Sequence, residues 1–238
     1  MPAHGPSEPV PVIALDGLSG SGKSTLARRL AERLGWTYLD SGAWYRALAW
    51  AARERGVDPT SAADLLALLS EIEILGRPDG TVVVDGRELR GEIRSPEIDE
   101  LVTEVADRPE VRAALNRRMR RLRRQAGVAG VVADGRDAGS VIFPDAALKV
   151  FVDASLEVRA DRRYRQRLAS GRPTDRAEVL RALAARDARD AARGESAPRR
   201  VPGSVLLDNN ELSVEEAIRR LLNLARPLLA PGPARGQP

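Results

Sequence analysis

A run of glycine and serine that ends in lysine lies near the start of the chain and has the spacing of a phosphate-binding loop. Residues 17–24 read Gly-Leu-Ser-Gly-Ser-Gly-Lys-Ser and match G-x-x-x-x-G-K-[ST] without a mismatch. The glycines allow backbone N–H groups to point inward at phosphate oxygens. Lys23, which we expect to point into a solvent-filled loop, would reach the β- and γ-phosphates, and the Ser24 hydroxyl would ligate Mg²⁺. The motif therefore predicts a site for a nucleoside triphosphate.

The rest of the sequence narrows the class of phosphate-loop protein. GTPase switches carry an N-K-x-D signature, and neither of the two lysines, Lys23 and Lys149, lies in one. Motor and helicase ATPases usually carry an acidic pair after an apolar strand, whereas Asp134 is followed by Gly-Arg-Asp. The loop also begins close to the N-terminus, as in small kinases of nucleotides and metabolites. The sequence therefore favours phosphoryl transfer to a small acceptor.

Two segments carry residues that could hold this acceptor. Ser41 could cap the helix that follows the second predicted strand, with Arg46 about one turn inside it, and both are placed for a phosphate. Arg136 and Asp137 follow an apolar run, at the carboxyl edge where open α/β sheets bind their ligands. A capped helix with a surface arginine is the alternative interpretation of the first segment.

A third segment places two arginines and a carboxylate on one side of a predicted helix. Arg186, Asp190 and Arg193 fall within about 40° of one another around the helix axis. An ordinary ion-pair face is the alternative interpretation. Beside a phosphate loop, however, such cations could neutralise the charge that is spread over a phosphoryl group during transfer.

The composition excludes several other chemistries. The 238 residues include no cysteine and one histidine, which excludes disulfides, thiolate zinc sites, cysteine nucleophiles and Ser-His-Asp catalysis. A net charge of +4 with a pI of 10.0 reflects arginine in place of lysine. The aromatic content of 3% argues against a surface for single-stranded nucleic acid. Without a signal-peptide pattern or an apolar run of about 20 residues, we expect a cytoplasmic protein.

Alternating strands and helices must position these residues. Five apolar runs predict the strands of one parallel sheet, at residues 12–15, 37–39, 130–133, 148–152 and 204–207. Helices are predicted at 23–34, 43–53, 156–170, 175–193 and 213–224, with two more that begin near Pro96 and Pro109. Short strands at 72–74, 81–84 and 87–89 predict an antiparallel insert near residues 70–92. The expected fold class is α/β, with helices on both faces of the sheet.

Taken together, the motifs resemble those of bacterial cytidylate kinases. The matching stretches lie at 13–25, 39–46, 91–94, 133–137, 141–145 and 186–190, in the family's order. The phosphate loop is shared by many kinases, but S-G-A-x-Y-R, D-G-R-D and R-D-x-R-D together are specific to this family. The resemblance covers about residues 10–226.

The resemblance implies a P-loop NTPase fold with a five-stranded parallel sheet, a β-rich insert that binds the nucleoside monophosphate, and a helical lid. The kinase domain would span residues 11–226, with the insert at about 40–112 and the lid at about 155–195. Residues 1–10 and 227–238 would be flexible tails. The implied reaction transfers the γ-phosphoryl group of ATP to CMP or dCMP, with Mg²⁺, in pyrimidine nucleotide metabolism. The partners would be small nucleotides, not nucleic acid or membranes, and the protein would be a monomer.

The resemblance also implies roles for individual residues. The catalytic cations would be Lys23, Arg136, Arg186 and Arg193. ATP would be held by Gly17, Leu18, Ser19, Gly20, Ser21, Gly22, Lys23, Ser24, Thr25 and the lid arginines Arg159, Arg162 and Arg163. CMP would be held by Ser41, Arg46, Thr103, Arg112, Arg136, Asp137, Arg186, Asp190 and Arg193, of which Thr103, Arg112 and Asp137 would read the base. Magnesium would be bound by Ser24, with Asp134 acting through water.

Four residues depart from the family pattern. Leu18, Ser24, Ala138 and Thr103 stand where proline, glycine, methionine and serine are usual, and none removes a group that the chemistry needs. The segment after Arg193 is one residue longer than the pattern, which leaves the lid exit at about 194–203 undefined. Two other functions stay open: another small P-loop kinase, and a nucleic-acid-binding protein that uses ATP only as a switch.

Overall fold

The structure is a computed structural model that describes residues 9–125, 127–171 and 173–229. Of the tails expected at 1–10 and 227–238, residues 1–8 and 230–238 lie outside these ranges. Val10, inside the expected N-terminal tail, donates its backbone N–H to the carbonyl of Arg123 at 3.1 Å. At the other end, the last helix continues to Leu229. It passes the boundary expected at residue 226 because Leu228 still packs against the core.

The elements follow one another in alternation. The strands and main helices of the described residues are β1 (Val12–Asp16), α1 (Lys23–Leu34), β2 (Thr37–Asp40), α2 (Ser41–Glu54), α3 (Ala62–Glu71), β3 (Ile74–Gly76), β4 (Val82–Val84), β5 (Arg87–Leu89), α4 (Pro96–Ala106), α5 (Pro109–Arg121), β6 (Val131–Gly135), β7 (Leu148–Asp153), α6 (Leu156–Ala169), α7 (Arg176–Ala191), β8 (Val205–Asp208) and α8 (Val214–Leu229). Within the part of the chain that is described, no helix is both long and apolar enough to cross a membrane.

A five-stranded parallel sheet forms the centre of the molecule, in the order β2-β6-β1-β7-β8. The predicted α/β class and the five strands are confirmed, with ends that differ by one or two residues. Asp134 of β6 lies level with Asp40 of β2 and Leu15 of β1. The carboxyl ends of the three strands therefore meet at one edge of the sheet, and the predicted motifs follow those ends.

Helices cover both faces of this sheet, as predicted. On one face, Ile13 and Leu15 of β1 alternate along the strand and pack with Leu26 and Leu30 of α1. On the other face, Val12 and Ala14 belong to the cluster that includes α2 and α5. All residues of β1 are buried, as expected for a central parallel strand.

The insert between α2 and β6 is more helical than the sequence predicts. Its three-stranded antiparallel sheet, β3-β4-β5, is confirmed, although β3 begins at Ile74 and not at Ile72. Helix α3 was not predicted. Its signal was present, because the side chain of Ser61 caps the backbone N–H of Asp64 and Leu65, Leu68 and Leu69 are buried.

Candidate active site

A cavity of about 370 Å³ opens at the carboxyl edge of the sheet. It is bounded by the loop after β1, the start of α2, helices α4 and α5, the turn after β6, and helices α6 and α7. The predicted site residues that line it are Ser19, Gly20, Lys23, Ser24, Ser41, Arg46, Thr103, Arg112, Asp134, Arg136, Asp137, Arg163, Arg186, Asp190 and Arg193. The structure therefore brings residues of every matching stretch except 141–145 to one place.

The phosphate loop has a backbone that glycine makes possible. Gly22 has a φ of 94° and lies immediately before α1, where a Cβ would be 2.7 Å from the amide nitrogen of Asn209. At Gly17, a Cβ would be 2.3 Å from the carbonyl oxygen of Val152. The loop is therefore held against the ends of two neighbouring strands, with the positive end of the α1 dipole at its exit.

Lys23 is buried and does not point into solvent, contrary to our expectation. Its Nζ donates to the carbonyl of Leu18 at 3.2 Å. Burial lowers the pKa of Lys23 to about 7, the positive charges of Arg136 and Arg186 act in the same direction, and the Asp134 carboxylate opposes them. Burial likewise lowers the pKa of Arg186 to about 10. This concentration of cations away from water provides a strong site for an anion.

Asp134 lies beside this lysine and is held by two hydroxyl groups. Ser24 Oγ donates to Asp134 Oδ2 at 2.6 Å, and the Tyr38 hydroxyl donates to Asp134 Oδ1 at 2.7 Å. Burial raises the pKa of Asp134 to about 6, the charge of Asp40 adds to this, and Lys23 and the two hydroxyls oppose it. The carboxylate is thus buried, compensated and fixed in orientation.

The oxygen atoms of Ser24 and Asp134 suit Mg²⁺, which prefers hard oxygen ligands. Among the described residues, no three His, Cys, Asp or Glu side chains are grouped to hold a metal ion. A cation at this place would therefore need phosphate oxygens and water as its other ligands. Such a donor set fits a Mg²⁺ ion that arrives with a nucleoside triphosphate.

The acceptor side of the cavity carries arginines that are paired with carboxylates. Arg46 lies 2.5 Å from Asp99, and Arg136 lies 2.7 Å from Asp190. Arg193 contacts the other oxygen of Asp190 at 2.6 Å. Asp190 is buried; burial raises its pKa, but the facing arginines outweigh this effect and hold that pKa below its usual value.

Two details of this side differ from the sequence prediction. Helix α2 is capped by Asp40, whose Oδ1 accepts the N–H of Ala43 at 3.0 Å, whereas Ser41 is already the first helical residue. Helix α7 ends at Ala191, so Arg193 lies in the following turn and not on the predicted helix face. Arg193 still reaches the cavity because the turn folds back toward Asp107, which its Nε contacts at 2.8 Å.

One end of the cavity is formed by α4, α5 and the turn after β6. There the Arg112 guanidinium donates to Asp137 Oδ2 at 2.5 Å and lies 5.1 Å from the centre of the Tyr45 ring. Thr103 and Val102 line the same end. This end therefore offers a carboxylate, a guanidinium and a hydroxyl beside an aromatic ring.

The predicted lid arginines have different positions. Arg159 is buried, bonds the Ser19 carbonyl at 3.2 Å, and lies 2.7 Å from Asp187 of α7. Arg162 donates to the carbonyls of Ser21 and Asn209. Only Arg163 of the three lines the cavity. In this conformation Arg159 and Arg162 therefore tie α6 to the phosphate loop through its backbone.

Five other predicted residues also lie outside the cavity lining, namely Gly17, Leu18, Ser21, Gly22 and Thr25. Several residues that the sequence prediction missed are present at the site. Arg94, Asp99, Arg167 and Arg189 line the cavity, and Asn209 donates to the Ser21 carbonyl at 2.7 Å. Arg94 and Arg189 lie in the matching stretches 91–94 and 186–190, so their signal was present. Asp99 and Asn209 carried none, because their partners are distant in sequence.

Comparison with known proteins identifies the same family as the sequence motifs. Residues 13–227 match the family model described as cytidylate kinase. The chain is 42% identical over 221 residues to a cytidylate kinase of Stutzerimonas stutzeri, covering 91% of this chain and 95% of that protein. It is 43% identical over 217 residues to one from Chromobacterium violaceum, covering 90% and 94%.

A solved structure of an uncharacterized protein from Eubacterium ventriosum superposes with a TM-score of 0.51 at 14% identity, covering 91% of this chain and 98% of that chain. At that identity the likeness concerns the fold alone. It agrees with the parallel sheet flanked by helices.

Proposed function

The chain belongs to the cytidylate kinase family, and on that premise we propose that its cavity transfers the γ-phosphoryl group of ATP to CMP or dCMP, giving ADP and CDP or dCDP. One observation carries the proposal. The phosphate loop, the Arg112–Asp137 pair and a set of arginines all line the same cavity. A donor phosphate, an acceptor phosphate and a base can thus be held together.

The choice of base follows from hydrogen-bond polarity. Cytosine presents an amino donor beside the N3 and O2 acceptors, whereas uracil presents a carbonyl acceptor beside an N–H donor. Asp137 can only accept when ionised, and the guanidinium of Arg112 can only donate. Cytosine therefore suits both groups, and uracil opposes both. Each mismatched buried contact costs on the order of 1–3 kcal/mol, or about ten- to a hundredfold in affinity.

The substrate phosphates would replace carboxylates as the ion-pair partners of several arginines. Arg46, Arg136 and Arg193, with the Ser41 hydroxyl, would bind the acceptor phosphate, and Arg186 would face the group in transfer. Such cations stabilise the charge that spreads over the equatorial oxygens of the transferred phosphoryl group. Lys23 would bind the donor phosphates and remain protonated there, because an adjacent anion raises the pKa that burial has lowered.

Magnesium fits the donor side of this arrangement. Ser24 would hold the ion directly and Asp134 through water, and the ion would neutralise charge on the β- and γ-phosphates. Helices α6 and α7 would act as the lid, with Arg163 facing the donor phosphates and closure excluding water. The insert and the lid would keep the bounds expected above.

We also assign the partners to small nucleotides and the working state to a monomer in the cytoplasm. The predicted donor and acceptor residues of this chain line one cavity, which supports a monomer as the working state. A cytoplasmic protein would meet ATP and CMP where cells keep their nucleotide pools. Sedimentation at micromolar concentration, with and without nucleotides, tests the monomer.

An acceptor panel tests the reaction. ADP formation from ATP and Mg²⁺ is measured with CMP, dCMP, UMP and AMP. We expect CMP and dCMP to be used at least tenfold more efficiently than UMP. Preferred turnover of AMP or of a non-nucleotide acceptor would indicate another P-loop kinase. Turnover without any acceptor, stimulated by DNA or RNA, would indicate the nucleic-acid-binding alternative.

Replacing Asp137 by Asn tests the base assignment. An amide can donate to the uracil carbonyl, so the preference for CMP over UMP should fall by about tenfold while the KM for ATP stays within twofold of the parent. Asp145→Asn is the control, because Asp145 binds Arg123 at 2.6 Å and lies outside the cavity lining. An unchanged preference in Asp137→Asn would remove Asp137 from the base site.

A further inference from the structure

Tyr38 is a buried tyrosine whose hydroxyl contacts Asp134, a residue of the cavity lining. It lies on β2, in register with Val132 of β6, on the same face of the sheet as α1. Because side chains two residues apart share a face, its ring reaches diagonally to Asp134, two residues beyond Val132. The hydroxyl donates to Asp134 Oδ1 at 2.7 Å.

The carboxylate of Asp134 fixes the direction of the hydrogen atom on each of the two hydroxyl groups that bind it. An ionised carboxylate can only accept, so Tyr38 and Ser24 must each donate their single proton to it. Ser24 donates to Oδ2 at 2.6 Å while Tyr38 occupies Oδ1. With its proton committed, the serine oxygen has its lone pairs left for a ligand on the cavity side.

The insert holds the Tyr38 ring in place from its other side. The backbone N–H of Tyr38 donates to the carbonyl of Pro78 at 2.8 Å. At Gly80, a Cβ would be 2.3 Å from the Tyr38 ring, so the turn of the insert lies directly on the ring. The turn therefore leaves the ring no room to swing away from Asp134, and the hydroxyl has one stable direction.

We infer that Tyr38 is a positioning residue for the donor nucleotide: through Asp134 it orients the Ser24 hydroxyl toward the Mg²⁺ ion that accompanies ATP. The inference rests on the proposed function, since it concerns the same cavity. The inference adds a residue that lies outside the cavity lining. Through Tyr38, Asp134 and Ser24, the turn at residues 78–80 of the insert is connected to the phosphate loop. Tyr38 acts on the metal-bound form of the donor and not on the acceptor.

Tyr38→Phe isolates the hydroxyl, because it keeps the ring on which Gly80 packs. The dissociation constant of ATP is measured by titration calorimetry in excess Mg²⁺ and again in EDTA, and that of CMP is measured alone. We expect the affinity for ATP with Mg²⁺ to fall about tenfold, the loss typical of one hydrogen bond to a charged group. The affinities for ATP in EDTA and for CMP should stay within twofold of the parent.

Tyr164→Phe is the matched control, because it removes a tyrosine hydroxyl from α6 that does not line the cavity. Its Mg²⁺-dependent ATP affinity should equal that of the parent. A second test combines Tyr38→Phe with Ser24→Ala. If Tyr38 acts through Ser24, then Tyr38→Phe should cause no further loss in the Ser24→Ala background.

Three results would overturn the inference. The first is a Tyr38→Phe protein that binds ATP with Mg²⁺ as tightly as the parent. The second is an equal loss of ATP and CMP affinity with a lowered melting temperature, which a structural role alone would produce. The third is a full tenfold loss on top of Ser24→Ala. A parent protein that binds ATP with Mg²⁺ but phosphorylates no cytidine monophosphate would contradict only the proposed function.

Discussion

At the level of single residues, the arginines of the cavity form ion pairs with carboxylates that a substrate phosphate can replace. Arg46 is bound to the half-exposed Asp99, and Arg193 to the half-exposed Asp107. Arg136 instead faces the buried Asp190. Displacing Asp99 or Asp107 should cost little free energy, because water screens these exposed ion pairs. Asp190 is buried, so we expect its charge to stay beside Arg136. The pairing keeps the arginines ordered before a phosphate arrives.

Lys23→Ala removes the charge that we assign to the donor phosphates. Phosphoryl transfer should fall by roughly a hundred- to a thousandfold, the loss typical of one preorganised group that stabilises a transition state. The fold should persist, because the shortened side chain leaves no buried charge of its own. Steady-state kinetics measure the loss, and circular dichroism checks the fold. Near-normal turnover with an unchanged spectrum would contradict the phosphate-loop assignment.

Asp99→Asn removes a carboxylate that competes with the acceptor phosphate for Arg46. The KM for CMP should fall about two- to fivefold, because a half-exposed ion pair is worth at most about 1 kcal/mol. The KM for ATP should not change. Glu97→Gln is the control, since its carboxylate is on the same helix but binds Arg53 at 2.8 Å. An equal effect of both variants would mean a general change of charge and not competition at Arg46.

At the scale of elements, one buried carboxylate connects β1 to the turn after β6. The oxygens of Asp16 accept the N–H groups of Ala138 and Gly139 at 2.6 and 2.9 Å. That turn also carries Asp137, so Asp16 holds the predicted base-reading segment against the phosphate loop. Burial raises the pKa of Asp16 to about 6, with the two backbone N–H groups opposing the shift.

The raised pKa gives Asp16 a defined effect on stability. Between pH 4 and 6 the folded chain holds more of this proton than the unfolded chain does. The free energy of unfolding therefore falls as pH rises through that window, by about 3 kcal/mol at most from this group. In Asp16→Asn this decline should be smaller, and Asp134, with a similar pKa, keeps part of it. Urea denaturation at pH 4, 5, 6 and 7 measures it; identical slopes for both proteins would contradict the assignment.

In the molecule as a whole, the end of the predicted lid and the residues just after it contact the predicted insert. Arg193 Nε contacts Asp107 of the insert at 2.8 Å, and Arg112 Nε donates to Ser196 Oγ at 3.1 Å. Both arginines are also assigned to CMP. We therefore expect substrate binding to rearrange these contacts and to couple occupation of the site to closure of the lid.

Hydrogen exchange tests this closure. A bisubstrate analogue that joins adenosine and cytidine through phosphates should increase amide protection in the described residues of 155–195, because the lid is pulled onto two charged phosphate groups. Helix α8, which packs with α1 and lies outside the predicted lid, is the internal control and should show little change. Equal protection of the lid with and without the analogue would count against a moving lid.

Elements and motifs that depend on residues near one another in the chain could be predicted from the sequence alone. Helix α1 has the predicted bounds, because Gly22 and Gly35 adopt left-handed conformations at its two ends and Leu26 and Leu30 form one apolar face. The phosphate loop and the order of the five strands' apolar runs were likewise readable. These signals are local: a few residues decide each, through backbone freedom, capping and periodic burial.

Which charged groups face each other could not be predicted from the sequence, because these pairings depend on the tertiary structure. Tyr38 meets Asp134 across 96 positions of sequence, and Arg159 meets Asp187 on another helix. Spacing along the chain carries no signal for such pairs, since register, crossover and helix packing set their distances. The same holds for Lys23, whose pKa is set by its burial and by the charges of Arg136 and Asp134, which are distant in sequence. The motifs thus identified the donor and acceptor sides, and the packing of the sheet edge determined the protonation and the orientation of their groups.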